Sequence, residues 1–142
     1  MDYHKIGERF FLRLYKDEDL FESLQDFAVK EELQSGQLSG IGALKETEIG
    51  FYHLDKKEYA KKVFSNEAEL ISLQGNLSSL EGRPFFHIHG VLGQSDYSTV
   101  GGHFFSAKVA VTVELFFTHF PANIPRLHDE EIGLNLLSFC SQ

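Results

Sequence analysis

Hydrophobic and polar positions change their period early in the chain. Residues 8–16, "ERFFLRLYK", alternate imperfectly with aromatics and predict a first strand. In the following "DEDLFESLQDFAVKEEL", Leu20, Leu24, Phe27 and Ala28 recur at helical spacing, which predicts a helix over about 17–34. Asp17 or Asp19 can cap its start, and Gly36 lies just past its end. From Gly36 onward the pattern breaks into short β-type runs separated by glycine or charged turns: 37–44, 46–54, 58–64, 68–77, 84–92 and a long run at about 102–119. Connections this short do not hold helical crossovers, so the runs predict antiparallel pairing. The tail "EIGLNLLSF" reads equally as a strand or a helical turn. The fold class expected is α+β, a mainly antiparallel sheet with one principal flanking helix, as a single domain over 1–142.

Composition narrows the class. A chain of 142 residues with 42% hydrophobic content buries a substantial core, and 14 Phe with no Trp point to phenylalanine packing inside or between subunits. The longest apolar run, "AKVAVTVELFF", is interrupted by charge and falls short of the ~20 residues that cross a bilayer. The N-terminal "MDYHKIGERFFLRLY" lacks the sections of a signal peptide, and the single cysteine, Cys140, reads as a bystander thiol. Both features lead to an expectation of a cytoplasmic protein with no membrane association.

Charge bears on partners. Lys and Arg number 13 against 21 Asp and Glu, a formal net charge of −8. Non-specific affinity for duplex DNA comes mostly from cationic side chains, so this balance disfavours nucleic acid. The local cluster Lys56, Lys57, Lys61 and Lys62 in "DKKEYAKK" reads as a solvated hairpin edge.

Candidate chemistry concentrates in "PFFHIHG", 84–90. Strand alternation places His87 and His89 on one face with Ile88 on the other. If the strands at 84–92 and 102–119 pair through "GQSDYSTVGG", His103 comes close to that face. Three imidazoles with an open fourth position suit zinc, and imidazole also suits nickel, copper or iron. Gly90, Gly101 and Gly102 are expected to leave room around such an ion. By itself the pattern also fits a buried or hydrogen-bonded histidine pair. Glu48, Asp96, Glu114 and Tyr97 are the candidates for orienting the rings or for acid–base work, and His4, His53, His119 and His128 read as surface or hydrogen-bonded histidines.

The order "SGIGAL" (39–44), "ELISLQGNLS" (69–78), "HIHGVLG" (87–93) and "GGHFF" (101–105) resembles the PPC domain, plants and prokaryotes conserved, in its single-domain prokaryotic form. The resemblance implies a compact antiparallel sheet with a flanking helix, a homotrimer, and a fold similar to that of acetolactate decarboxylase, whose metal is also held by histidines. It therefore implies a divalent ion, zinc first, on His87, His89 and His103. Prokaryotic members of this family carry a DNA-binding label, and in plants the domain follows AT-hook segments. Here "GRP" (82–84) sits in an acidic and apolar setting and reads as a turn. The plant partner-binding stretch corresponds to "NEAELI" (66–71), which keeps the glutamate and the aliphatic pair. The function implied is a trimeric module that binds a small ligand or a protein partner. The alternative is a metal-dependent lyase or hydrolase acting on a small carbonyl or hydroxy-acid substrate.

Overall fold

The computed structural model describes residues 1–139, so Cys140 lies outside the described residues. Nine strands and one helix follow in the order β1 (Asp2–Ile6), β2 (Arg9–Tyr15), α1 (Leu20–Lys30), β3 (Ser35–His53), β4 (Glu58–Phe64), β5 (Ala68–Leu80), β6 (Arg83–Gly93), β7 (Thr99–Phe120), β8 (Arg126–Asp129) and β9 (Leu134–Leu137) among the described residues. The class is α+β: a mostly antiparallel sheet with one helix packed on it.

The helix is shorter than its hydrophobic pattern suggests. Asp19 caps it, its Oδ1 accepting the backbone N–H groups of Phe21 and Glu22 at 2.9 and 3.0 Å. Asp17 instead takes a left-handed conformation in the turn leaving β2. At the other end Glu32, also left-handed, turns the chain, and the Leu33 N–H closes on the Ala28 carbonyl. Gly36 is not the stop; it lies within β3.

The runs 37–44 and 46–54 form one strand. Glu46 in a left-handed conformation and register shifts between Lys45 and Ile49 bend β3 without ending it. The bend lets β3 pair with β5 through its first half, β4 through its second and β7 along most of its length. With β5 on β6 and β6 on β7, the strands β3, β5, β6 and β7 close into a ring, extended by β2 and β1 on one side and β4 on the other. The lysine-rich β4 is thus an edge strand, as expected.

One strand face packs inward. Phe10, Leu12 and Leu14 of β2, Leu38 and Leu44 of β3, Leu73 and Leu77 of β5, Ile88 and Leu92 of β6, and Phe104 and Val113 of β7 share a core with Leu20, Leu24 and Phe27 of α1. Phe27 meets Phe10 and Phe117 edge-on at 5.1 and 5.8 Å, consistent with the phenylalanine-rich core expected. The polar edge strand β1 and the short β8 carry too little hydrophobic signal to be read from sequence. The tail resolves as strand β9, hydrogen-bonded to β8.

The "GRP" element begins in a turn. Leu80 pairs with Arg83 across Glu81 and Gly82, both at positive φ, the geometry of a two-residue type I′ hairpin. Arg83 and Pro84 already belong to β6.

Candidate metal centre

Along β6 the alternation is strict at the site. Phe86, Ile88 and Leu92 are buried inward, leaving Phe85, His87 and His89 on the outer face. The β6–β7 hairpin forms, with His89 opposite His103 and Gly90 opposite Gly102. The three imidazoles converge. His87 Nε2 and His89 Nε2 are 3.1 Å apart, and one nitrogen from each of the three rings lies within 4.8 Å of the others. The His87 and His103 ring centres are 5.1 Å apart, and those of His89 and His103 are 5.3 Å apart.

The surroundings fix these rings and keep two of them uncharged. His103 packs between Tyr59 and Phe105, at 5.1 and 4.6 Å, and the Lys61 ammonium covers Phe105 at 3.6 Å. Partial burial, reinforced by Arg126 and His89, pushes His87 down to about 4. Burial, the other two histidines, Lys61 and Arg126 bring His103 down to about 4 as well. Neutral imidazole is the form that binds metals. His103 Nδ1 is buried with no hydrogen-bond partner among the described residues. The donor set, the spacing and the orphaned nitrogen fit a divalent ion bound by three histidines.

The other expected contributors are elsewhere. Asp96 is held at the hairpin tip by the Ser98 backbone N–H and hydroxyl, and Tyr97 beside it is 94% exposed. Glu114 lies in the far half of β7, opposite Arg13 and Ile41. Glu48 is drawn to Lys61, 3.3 Å away. The glycines also act differently from expectation. A Cβ on Gly90 would meet the inward Phe104 ring at 2.4 Å, and one on Gly102 the Gly50 carbonyl oxygen at 2.7 Å. They let β6, β7 and β3 approach one another and seat Phe104, rather than opening space around an ion.

Sequence reading missed Arg126. It is 6% exposed and reaches from β8 onto the outer face of β5 and β6. Its Nε donates to Ser78 Oγ at 2.7 Å, and its two terminal nitrogens donate to Asn76 Oδ1 at 2.8 Å and the Asn135 carbonyl at 2.9 Å. A lone arginine far beyond the histidines in sequence carries no motif that would have flagged it. Its segment is further held by Tyr52, whose hydroxyl donates to the Ile132 carbonyl at 2.6 Å.

The chain is similar in structure to a metal-containing protein from Archaeoglobus fulgidus, at 35% identity and a TM-score of 0.88 over 97% of this chain and 99% of that one. It is also similar to a provisionally named DNA-binding protein from Bacteroides thetaiotaomicron, at 30% identity and a TM-score of 0.93 over 97% and 96%. A third likeness is to a plant- and prokaryote-conserved (PPC) protein from Pyrococcus horikoshii, at 30% identity and 0.87 over 99% and 97%. No curated protein matches the chain significantly. With residues 1–121 matching its defining domain, the chain belongs to the Plants and Prokaryotes Conserved (PCC) domain family.

Proposed function

We propose that this protein is a metal-holding binding module, with His87, His89 and His103 as the ligands of a divalent ion, zinc first, and an open coordination position that takes a ligand. One observation carries the reading: three imidazoles with nitrogens within 4.8 Å, brought together from two strands. Two of these rings are held neutral by their surroundings. The metal-containing relative from Archaeoglobus fulgidus supports it.

The same proposal takes 1–142 as one domain and the working form as a homotrimer in the cytoplasm. Among the described residues no helix is long and apolar enough to cross a membrane. Ile41, Ile71 and Val111 line one outer groove, 57%, 52% and 65% exposed, and a second copy of the chain is the occupant that would cover them. Likeness to acetolactate decarboxylase, and with it lyase or hydrolase chemistry on a small carbonyl or hydroxy acid, ranks second: none of Glu48, Asp96, Glu114 and Tyr97 is free and near the histidines. DNA contact, suggested by the name of the relative from Bacteroides thetaiotaomicron, is opposed by the net charge of −8.

Metal analysis of protein purified without an affinity tag tests the reading. Near-stoichiometric zinc or another divalent ion is expected in the wild type and its loss in each of His87→Ala, His89→Ala and His103→Ala. Metal content unchanged in the folded variants would refute it.

A further inference from the structure

Burying a guanidinium is costly unless an anion or a full set of acceptors receives it. Arg126 is almost wholly buried, yet its hydrogen-bond partners, Ser78 Oγ, Asn76 Oδ1 and the Asn135 carbonyl, are all neutral. Among the described residues no carboxylate lies within salt-bridge distance of it. The three bonds account for three of the five N–H groups that a guanidinium offers. An ordinary structural arginine is matched by an acid; this one is left with its charge uncompensated.

Its location gives that charge a direction. In the β5–β6 register Asn76 stands opposite His87 and Ser78 opposite Phe85, so the residues that hold Arg126 share the face of the histidines. The guanidinium lies 5.0 Å from the Phe85 ring centre, and its charge is felt at both His87 and His103. No Asp or Glu joins the histidine group among the described residues. A divalent ion would add further positive charge where neither the histidine group nor the partners of Arg126 supply an anion.

A cleft of about 480 Å³ opens beside this point, between α1 and the place where β6 and β7 diverge. Phe21, Phe85, Phe86, Phe104 and Phe105 line it together with His103 and Pro84, and Glu22 and Gln25 of α1 complete the lining. Phe85 therefore faces both the cleft and Arg126, and His103 belongs to both the cleft and the histidine group. A cavity of this size and lining suits a small organic molecule.

We propose that Arg126 is an anion-recognising residue, and that this site takes a small organic acid, with its carboxylate between the Arg126 guanidinium and the metal's open position and its apolar body in the phenylalanine cleft. The proposal rests on the metal reading above for the second of those contacts. Planar, two-pronged recognition of a carboxylate is the geometry for which a guanidinium is suited. The competing role for Arg126 is that of a clamp fastening β8 to β5.

Titration of the cobalt-loaded protein with benzoate, acetate and inorganic phosphate, read by the visible spectrum of the ion and by calorimetry, separates these roles. Benzoate is expected to perturb the spectrum and to bind more tightly than acetate or phosphate. In Arg126→Gln, with folding checked by circular dichroism and metal content unchanged, its affinity should fall roughly tenfold or more, the loss expected when a charged hydrogen-bonding partner is removed. Phe85→Ala should weaken benzoate more than acetate, and this variant serves if Arg126→Gln does not fold. Equal benzoate affinity in wild type and folded Arg126→Gln, both metal-loaded, would overturn the proposal and leave the metal site standing. So would a preference for phosphate, or no response of the loaded wild type to any carboxylate. If the wild type takes up no metal, the metal reading fails by itself; benzoate binding that is still lost in Arg126→Gln would then uphold the arginine subsite.

Discussion

His87 Nε2 lies 3.1 Å from His89 Nε2. Zinc–imidazole bonds of about 2.0–2.1 Å at tetrahedral angles place two ligating nitrogens about 3.3 Å apart, so this pair is already near the spacing that an ion imposes. Burial of the His87 and His103 rings, with positive charge from Arg126 nearby, disfavours protonation of those two.

That arrangement sets a pH dependence for the metal-free protein. The ordinary histidine pKa is 6.5, and in the folded chain His87 and His103 titrate at about 4, burial being the main cause. Between these values the unfolded chain binds more protons, so stability rises with pH in that window. The contribution is complete above 6.5 and disappears as pH falls towards 4. Urea midpoints of metal-free protein across this range should decline with acid, and less steeply in His103→Phe. Equal slopes in the two proteins would contradict the assignment.

Gly90 has Phe104 ring atoms at 2.4, 2.7 and 3.0 Å from the position of a Cβ. Gly90→Ala must displace a fully buried aromatic, and overpacking of this kind costs about 1–3 kcal/mol. Thermal or chemical denaturation should register that loss. An unchanged midpoint would mean that the β6–β7 hairpin yields more readily than its packing implies.

Val111→Glu tests the assembly proposed for the outer groove. A charge placed among Ile41, Ile71 and Val111 should convert trimer to monomer in size-exclusion chromatography with light scattering. Because Val111 is 65% exposed, the fold of the isolated chain should change little, by about 0.5 kcal/mol or less. A trimer that survives the substitution would place the subunit contact elsewhere.

For duplex DNA the expectation is weak binding. The chain carries −8, and three lysines of its basic cluster are engaged in separate contacts: Lys61 with Glu48, Lys57 with the Glu130 carbonyl and Lys62 over Phe64. Fluorescence anisotropy with a labelled duplex at physiological salt should show affinity no better than the non-specific range of about 10⁻⁴–10⁻⁶ M. Tight binding that falls steeply with salt would reverse this view.

Sequence alone determined the features that depend on local period. The helical spacing of Leu20, Leu24, Phe27 and Ala28 and the same-face placement of His87 and His89 follow from 3.6- and 2-residue repeats, whereas the choice of Asp19 over Asp17 as the cap came from the structure. The β6–β7 pairing was legible too, because glycines and turn residues bracket it. Tertiary structure decided the remainder, since register over long separations leaves no local trace. It joined 35–53 into one bent strand, moved Asp96, Tyr97 and Glu114 away from the histidines, and turned Gly90 and Gly102 to packing. It also carried Arg126, 23 positions beyond His103, onto the histidine face through Ser78 and Asn76. A buried charge acquires meaning only from the groups around it, and those were assembled by the closed ring of strands.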